Sequence, residues 1–243
     1  MERVLVLGAT SAIAAEVAVL HAGRGDRLHL VGRDAHKLSA LALRVPGCSV
    51  EVADLVEADP AALVQRAIEA LGGLDRVLIA HGALGNQLDT ERDVAAAIDV
   101  IATNFTSAVA LLVPLANHFE RTRGGRIGVI TSVAGDRGRP RNYTYGAAKG
   151  ALGIYLQGVR TRLYGSGVAV TTLKLGPVDT PMTRDHGKHA LFGEVHRVAR
   201  DIVRVMDRRE GEAYVPSVWA LIMPIVRRVP ERLFQKLAFL SGR

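Results

Sequence analysis

A tyrosine and a lysine stand four residues apart in Tyr145-Gly146-Ala147-Ala148-Lys149, and on a helix this spacing places both side chains on one face. Ser132 ends the preceding predicted strand, where its hydroxyl can approach the same point. An ammonium group beside a phenol favours the phenolate, so we expect Lys149 to lower the pKa of Tyr145 from about 10. Such a pair can exchange a proton with an alcohol or a carbonyl oxygen. Tyr143 is the competing phenol, but its spacing from Lys149 places it on another side of the helix.

The elements that must position these groups are short β-branched segments alternating with longer helical patterns. Predicted strands cover 3–7, 27–31, 50–53, 77–80, 126–131 and 168–175, and predicted helices cover 11–21, 61–71, 94–119, 145–164 and 195–206. Nearly continuous apolar strands separated by helices are typical of a parallel sheet covered on both faces. With right-handed crossovers, the sequence predicts an α/β fold, a Rossmann-type doubly wound parallel sheet of about seven strands with helices on both faces.

The first predicted strand is followed by a turn of small residues that opens the first predicted helix. Small residues at such a turn let backbone N–H groups and the helix N-terminus approach a pyrophosphate. The turn alone is equally compatible with an ordinary tight turn, because only Gly8 is a glycine among the three positions that dinucleotide folds keep small. Its position between strand and helix favours a dinucleotide site formed by Gly8, Thr10, Ser11, Ala12 and Ile13.

Charged residues follow the second and third predicted strands. Arg33 comes directly after Gly32, and a guanidinium there can neutralise a ribose 2′-phosphate, whereas a carboxylate such as Asp34 favours a 2′-hydroxyl. Because Arg33 comes first, the sequence favours NADP over NAD, with ordinary loop charges as the alternative. Asp54, followed by Leu55, is placed to accept a hydrogen bond from an adenine amine or, alternatively, to cap the next helix.

Over essentially its full length the chain resembles the short-chain dehydrogenase/reductase family. The resemblance rests on the turn Gly8 to Ala14, Asp54, Asn104, Ser132, Tyr145, Lys149 and Gly176-Pro177-Val178-Asp179-Thr180-Pro181. It implies that Tyr145 is the general acid/base, that Ser132 polarises the substrate oxygen, and that Lys149 holds the nicotinamide ribose and lowers the tyrosine pKa. It also implies that Asn104 keeps a water in a proton relay through Lys149. By the same resemblance Thr180 binds the nicotinamide carboxamide, and Pro177 and Val178 contact the cofactor.

The chain departs from the family pattern at three places. Ala12 and Ala14 replace glycines of the first turn. After the fourth predicted strand, Ile79-Ala80-His81-Gly82 stands where the family commonly has two asparagines, an alanine and a glycine, and we expect His81 and Gly82 to contact the cofactor there. Leu175 and Pro177 alter the Pro-Gly element around Gly176.

Three segments carry a closer resemblance, to the polyprenylphosphoryl-2-ketoribose reductases of arabinan precursor synthesis and related reductases of surface-polysaccharide clusters. They are residues 80–85, residues 134–139 and the tail from Val215-Pro216 through 227–234. The resemblance implies a keto-sugar substrate attached to a lipid phosphate. Arg137, Arg139 and Arg141 stand beside the predicted active site and could recognise that phosphate; as the alternative, they are solvated or pair with neighbouring acids.

The positive charge of the chain is unevenly distributed. The formal net charge is 31 − 24 = +7 over 243 residues, and much of it lies in 216–243. Because apolar residues and Trp219 alternate there with arginines, the segment either lies on a membrane surface or packs on its own domain or a partner subunit. We expect no membrane crossing, since no apolar run reaches the roughly 18 residues that a span requires.

These patterns predict a dinucleotide-binding catalytic domain over 1–215, with a mobile substrate loop near 183–200, and a basic amphipathic extension over 216–243 that is not a separate domain. Cys48 has no partner for an internal disulfide, which favours the cytoplasm, with peripheral attachment to the inner face of the membrane as a further expectation. His186, His189 and His196 lack accompanying ligands, so we expect no metal. We also expect no nucleic-acid partner, and a homo-oligomer.

The functional hypothesis is an NAD(P)-dependent reductase that converts a ketone to an alcohol, with a keto-sugar, carried on a lipid phosphate, as the substrate. Within enzymes, the alternative is a general 3-oxoacyl or small-alcohol dehydrogenase. From a different class, the alternative is a non-catalytic dinucleotide-binding interaction protein. The set of Asn104, Ser132, Tyr145 and Lys149 argues against that last alternative, because binding alone does not need all four.

Overall fold

The computed structural model describes residues 1–183 and 191–237. The strands are β1 (Arg3–Leu7), β2 (Arg27–Gly32), β3 (Ser49–Val52), β4 (Arg76–Ile79), β5 (Arg126–Ser132), β6 (Ala169–Leu175) and β7 (Glu212–Val215). The helices are α1 (Ala12–Ala22), α2 (Ala35–Arg44), α3 (Pro60–Leu71), α4 (Gln87–Thr90), α5 (Val94–Ile101), α6 (Ser107–Thr122), α7 (Tyr143–Leu163), α8 (Val195–Asp207), α9 (Trp219–Arg228) and α10 (Glu231–Phe234). A π-helical segment, Ala102–Thr106, joins α5 to α6, and short 3₁₀ turns cover Val133–Asp136, Tyr164–Ser166 and Pro181–Thr183.

The seven strands form one parallel sheet in the order β3-β2-β1-β4-β5-β6-β7. This confirms the predicted doubly wound α/β fold. The strand order reverses between β1 and β4, and the carboxyl ends of strands at such a switch point open a crevice. Edge strand β7 is the one strand for which the sequence analysis offers no position, because its four residues are mostly half-exposed and carry no apolar run.

Helices cover both faces of the sheet. On one face α1, α2 and α8 bury residues such as Val17, Leu38 and Ile202 against the strands. On the other face α3, α6 and α7 form a second core. Because both faces are covered, the central strands are apolar on both sides, which is why they read as continuous hydrophobic runs.

Most predicted boundaries lie within one residue of the observed ones, and three predictions differ from the structure by more than that. The helix predicted over 94–119 is continuous to Thr122, but the π-helical segment Ala102–Thr106 interrupts its α-helical pattern. Helix α7 begins at Tyr143 instead of Tyr145. Of the predicted loop 183–200, residues 184–190, which include His186 and His189, lie outside the described residues, and 195–200 are the first turns of α8.

The helical stretch Val94–Thr122 is long and apolar enough to span a membrane by length and composition. Its inner face, however, packs in the core between α3 and α7, where Leu112, Leu115 and Phe119 are fully buried. A helix that buries one face in this way is the core helix of a globular domain.

The extension after Pro216 packs on the sheet domain through one face. Trp219, Met223, Val226 and Phe234 form a small buried cluster with Val133, which follows β5. The extension therefore packs on its own domain, as one of the two sequence-based alternatives predicted. The opposite face of α9 remains open to solvent.

Candidate active site

A cleft of about 760 Å³ lies along the carboxyl ends of the strands, across the switch point. The residues predicted to contact the cofactor all line it: Gly8, Thr10, Ser11, Ala12, Ile13, Arg33, Asp54, Leu55, His81, Gly82, Tyr145, Lys149, Pro177, Val178 and Thr180. Ser132 lines it too. Asn104 is buried behind the wall instead, whereas its neighbour Thr103 reaches the cleft.

The turn after β1 brings a helix N-terminus to the cleft. Gly8 has a φ of +79°, and a Cβ there would lie 2.6 Å from the backbone nitrogen of His81, so this position requires glycine. Ser11 caps α1 by accepting a hydrogen bond of 3.2 Å from the Ala14 backbone nitrogen. Ala12 and Ala14 leave this turn intact. The partial positive charge of the helix N-terminus faces the cleft, where it favours the binding of an anion.

Two cations stand at the end of the cleft nearest β2. Arg33 and Lys37 both line it. Asp34 does not reach into the cleft, because its carboxylate accepts a hydrogen bond of 3.0 Å from the Lys37 backbone nitrogen and caps α2. The other carboxylate oxygen of Asp34 lies 3.5 Å from Lys37 Nζ, so the carboxylate is paired with one of the two cations.

Asp54 lies at the cleft with an exposed carboxylate, one of whose oxygens accepts a hydrogen bond of 2.9 Å from the Val56 backbone nitrogen. The alternative that Asp54 caps the next helix is wrong, since Asp59 is the cap of α3. The carboxylate of Asp54 is instead held by its own turn at the mouth of the cleft.

Ser132 ends β5, and its hydroxyl accepts a hydrogen bond of 3.1 Å from the Ala134 backbone nitrogen. The 3₁₀ turn that follows presses directly on α7: a Cβ on Gly146 would lie 2.7 Å from the Ala134 carbonyl oxygen. Close backbone contact between this turn and α7 therefore places Ser132 beside Tyr145, the residue before Gly146.

The expectation that Lys149 lowers the pKa of Tyr145 is wrong for this structure. Burial raises the pKa of Tyr145 to about 12, although a hydrogen bond with Ser132 acts in the opposite direction. Lys149 Nζ lies 5.8 Å from the centre of the Tyr145 ring and donates a hydrogen bond of 3.2 Å to the Ile130 carbonyl oxygen. Burial lowers the pKa of Lys149 itself to about 8. Desolvation thus sets the direction of the pKa shift of both groups.

Asn104 lies in the π-helical segment, and its side chain is fully engaged with backbone groups. Its amide nitrogen donates to the Ala83 and Val100 carbonyl oxygens at 2.7 and 2.9 Å, and its amide oxygen accepts from the Ala83 nitrogen at 3.2 Å. A Cβ on Gly82 would lie 2.7 Å from Asn104 Oδ1 and 3.2 Å from Lys149 Nζ. Asn104 therefore fixes the turn after β4 directly against Lys149.

His81 occupies the same turn as a neutral imidazole. Its Nε2 lies 2.8 Å from Ser107 Oγ, and the Ser107 hydroxyl donates to the Thr103 carbonyl oxygen at 2.9 Å, so Nε2 carries the proton and donates to Ser107. Burial, reinforced by the positive charge of Lys149, lowers the pKa of His81 to about 3. This bond ties the end of β4 to α6, in place of the side-chain amides that the family commonly has here.

Arg137 is not available to a substrate phosphate. Its Nη1 donates to the Val229 carbonyl oxygen at 2.6 Å, its Nη2 pairs with Glu231 at 2.7 Å, and its guanidinium lies 4.1 Å from the centre of the Phe234 ring. These contacts fasten the C-terminal extension to the loop after β5. Arg139 and Arg141, in contrast, line the cleft.

Among the cleft residues that were not predicted as site residues, Lys37 and Trp219 carry polar groups that could bind a ligand. Lys37 lies in the first turn of α2, after the Asp34 cap, whereas Arg33 precedes the helix, so no helical spacing relates the two residues. Trp219 was assigned to the extension, and its position against the cleft depends on a tertiary contact with Gly176 that the sequence does not show.

The model of the family described as short chain dehydrogenase matches residues 2–190. The chain belongs to the short-chain dehydrogenase family. It is 32% identical over 238 residues to an uncharacterized oxidoreductase of Streptomyces coelicolor, covering 96% of this chain and 94% of that one. It is 33% identical over 246 residues to an uncharacterized oxidoreductase of Myxococcus xanthus, with coverages of 96% and 95%.

Solved structures show the same architecture. A short chain dehydrogenase/reductase family protein superposes with a TM-score of 0.79 and 25% identity, covering 88% of this chain and 97% of that chain. Levodione reductase superposes with a TM-score of 0.78 at 22% identity, covering 87% and 93%, and shows the fold. As a short-chain dehydrogenase, the protein is an oxidoreductase that uses a nicotinamide dinucleotide. The glycine turn and helix N-terminus at the cleft fit the pyrophosphate of that cofactor.

Proposed function

We propose that this short-chain dehydrogenase reduces a ketone to an alcohol with Tyr145 as the acid. The observation that carries the proposal is that Ser132, Tyr145 and Lys149 line one cleft with the glycine turn. The bound nicotinamide supplies the hydride. Because its pKa is about 12, Tyr145 keeps its proton at neutral pH and can donate it to the substrate oxygen as the negative charge develops there.

The neighbouring groups support this proton transfer. The Ser132 hydroxyl is held by the Ala134 backbone nitrogen and can orient the substrate oxygen toward Tyr145. Lys149, whose Nζ lies 5.8 Å from the centre of the Tyr145 ring and donates to the Ile130 carbonyl oxygen, would hold the nicotinamide ribose beside the phenol. Asn104 positions the turn at Gly82 against Lys149, and its role in a water relay stays a prediction.

The charges near β2 support NADPH as the reductant. Arg33 and Lys37 both line the cleft, and a 2′-phosphate would lie between two cations there. The carboxylate of Asp34 caps α2 and faces Lys37, with its Oδ2 3.5 Å from Lys37 Nζ, so it does not pair with Arg33. The two cations favour NADP over NAD.

For the substrate we propose a keto-sugar carried on a lipid phosphate. Arg139 and Arg141 bring positive charge to the same cleft as Ser132 and Tyr145, which suits a phosphorylated substrate. The resemblance of 80–85 and 134–139 to polyprenylphosphoryl-2-ketoribose reductases supports the same class. Levodione reductase is named for a different ketone. The proposal of a keto-sugar therefore takes no support from that structure and rests on residues of this chain.

A lipid-linked substrate requires that the enzyme reach a membrane surface, and the exposed face of α9 is suited to contact it. Leu221 and Ile225, one turn apart on its outer face, are 75% and 69% exposed, and Arg227 and Arg228 follow them. Exposed apolar side chains beside arginines suit the interface of an anionic bilayer. We propose a cytoplasmic protein that contacts the inner face of the membrane through α9.

Exposed apolar side chains on three neighbouring helices support the proposal of a homo-oligomer. Ile98 on α5, Val113 on α6 and Ile154 on α7 are 57%, 46% and 72% exposed. A second copy of the chain would bury such side chains. Light scattering should give a multiple of the 26.0 kDa chain mass, and a mass of 26.0 kDa would contradict the proposal.

The reductase proposal is tested by following NADPH consumption with three ketones: a polyprenyl-phosphate keto-sugar, the same sugar without its lipid, and a 3-oxoacyl thioester. We expect the highest kcat/KM for the lipid-linked sugar. Preference for the thioester would favour a general 3-oxoacyl reductase. Binding of NADPH without turnover of any of the three ketones would favour the non-catalytic alternative.

A further inference from the structure

Two hydrogen-bond donors in the wall of the cleft are buried without a partner within residues 1–183 and 191–237. They are Arg139 Nε and Trp219 Nε1. Both side chains line the cleft together with Ser132 and Tyr145. Buried donors are usually satisfied in folded proteins. Among the described residues, nitrogens of Arg76 and Arg126 are also buried without a partner but do not line the cleft; Arg139 and Trp219 do line it, so a ligand there can supply the acceptor.

The guanidinium of Arg139 also lacks a bound counter-ion in the described part of the chain. Its one recorded polar contact is a distance of 4.0 Å from Nη2 to Met223 Sδ, and burial lowers the pKa of Arg139. The nearby carboxylate of Asp136 is engaged elsewhere, since it pairs with Lys174 Nζ at 2.8 Å and accepts from the Tyr214 hydroxyl at 2.6 Å. The half-buried guanidinium of Arg139 therefore has no ion pair within the described residues, and the charge of Asp136 offsets only part of the cost of burying it.

Trp219 holds its donor rigidly in the same wall. The indole packs so closely on the residue after β6 that a Cβ on Gly176 would lie 2.0 Å from Trp219 Nε1. Its other neighbours are Val133 and Met223 in the buried cluster under α9. Met223 thus contacts both Arg139 and the cluster that fixes Trp219, and the two donors belong to one surface.

We propose that Arg139 and Trp219 form a subsite for an anionic group of the substrate, a phosphate or a carboxylate. An anion there accepts charge-assisted hydrogen bonds from a guanidinium already positioned by packing. A neutral substrate leaves the cation without an ion pair and is disfavoured. This inference rests on the proposed reductase function, because it concerns the substrate of that site.

The experiment uses the fluorescence of Trp219, the single tryptophan of the chain, so it needs no turnover. Butyl phosphate, butyrate and 1-butanol are titrated into the full-length protein, the Arg139→Met variant and the Arg121→Met variant. Arg121 is exposed on α6 and gives the same change in net charge. Arg139→Lys is added as the variant that keeps the positive charge but loses the two parallel N–H donors of the guanidinium.

We expect a saturable change with at least one of the two anions and none with 1-butanol. Arg139→Met should weaken anion binding about tenfold or more, with a smaller loss in Arg139→Lys, while Arg121→Met should match the wild type. The ratio of the two anion affinities identifies phosphate or carboxylate as the preferred group. Equal affinities in the wild type and Arg139→Met, or binding of 1-butanol as tight as that of the anions, would overturn the subsite.

The two proposals fail separately. An enzyme that reduces ketones but binds neither anion keeps the reductase function and loses the subsite. A protein that binds the anions through Arg139 but reduces no ketone keeps the subsite and loses the reductase function.

Discussion

Gly135 and Gly150 pass each other with no side chain between them. A Cβ on Gly135 would lie 2.6 Å from the Gly150 nitrogen, and one on Gly150 would lie 2.8 Å from the Gly135 carbonyl oxygen. This contact holds the turn that follows Ser132 against the helix that carries Tyr145 and Lys149. The distance between the serine hydroxyl and the phenol therefore depends on two residues that have no functional group.

We expect Gly150→Ala to separate the turn from α7. Overpacking of this kind costs about 1–3 kcal/mol of stability, and kcat/KM should fall more than tenfold because the hydroxyl and the phenol move apart. Gly158→Ala is the matched control, since it lies in the same helix with nothing within 4 Å of its Cβ. Alanine there should stabilise the protein by roughly 0.5–1 kcal/mol. Urea denaturation and kinetics measure both effects, and similar results for the two variants would contradict the account.

The buried ammonium of Lys149 is expected to reduce the free energy of unfolding of the protein. It is 4% exposed, and burial lowers its pKa from 10.5 to about 8. At pH 7 the buried ammonium costs on the order of 3 kcal/mol at about 1.4 kcal/mol per pKa unit. Between pH 8 and 10.5 the unfolded chain binds more protons than the folded one, so this contribution makes stability rise with pH.

The test is Lys149→Met in urea at two pH values. The variant should be more stable than the wild type at pH 7, and its advantage should shrink at pH 10, where the folded wild-type lysine is already neutral. A variant that is less stable than the wild type at pH 7 would show that the bond to the Ile130 carbonyl oxygen outweighs the cost of burial.

The parallel sheet and the Tyr145–Lys149 pair could be predicted because their signals are local: apolar strand runs and a four-residue helical spacing. The pKa of Tyr145 could not, since burial of the phenol depends on elements distant in the sequence. The same holds for Arg137, whose partners Val229 and Glu231 lie in the C-terminal extension. Arg137, Arg139 and Arg141 cannot be distinguished by sequence. Only the packing shows that Arg137 binds the C-terminal extension, whereas Arg139 and Arg141 line the cleft.

Cofactor choice should depend on the two cations at the β2 end of the cleft. Arg33→Gln is expected to raise the KM for NADPH about tenfold or more while changing the KM for NADH little, because the proposed partner of the guanidinium is the 2′-phosphate, which NADH lacks. Lys37→Gln should act in the same direction. Initial rates with each cofactor measure the ratio, and a parallel rise in both KM values would contradict a phosphate-specific role.

Membrane contact is tested on the outer face of α9. Leu221→Asp with Ile225→Asp should reduce flotation with vesicles that contain anionic lipid, because each change replaces exposed apolar area with a charge that the bilayer repels. Both side chains point away from the buried cluster, so the thermal unfolding midpoint should stay near that of the wild type. Equal flotation of the two proteins would exclude α9 as the contact.

The central claim is that Tyr145 gives the substrate its proton, and Tyr145→Phe tests it most directly because the ring stays in place and only the hydroxyl is lost. The measurement is the single-turnover rate of ketone reduction at saturating NADPH, alongside the dissociation constant for NADPH. The account predicts a rate about a hundredfold to ten-thousandfold lower, with cofactor binding close to that of the wild type. A variant that reduces the ketone within tenfold of the wild-type rate would contradict it.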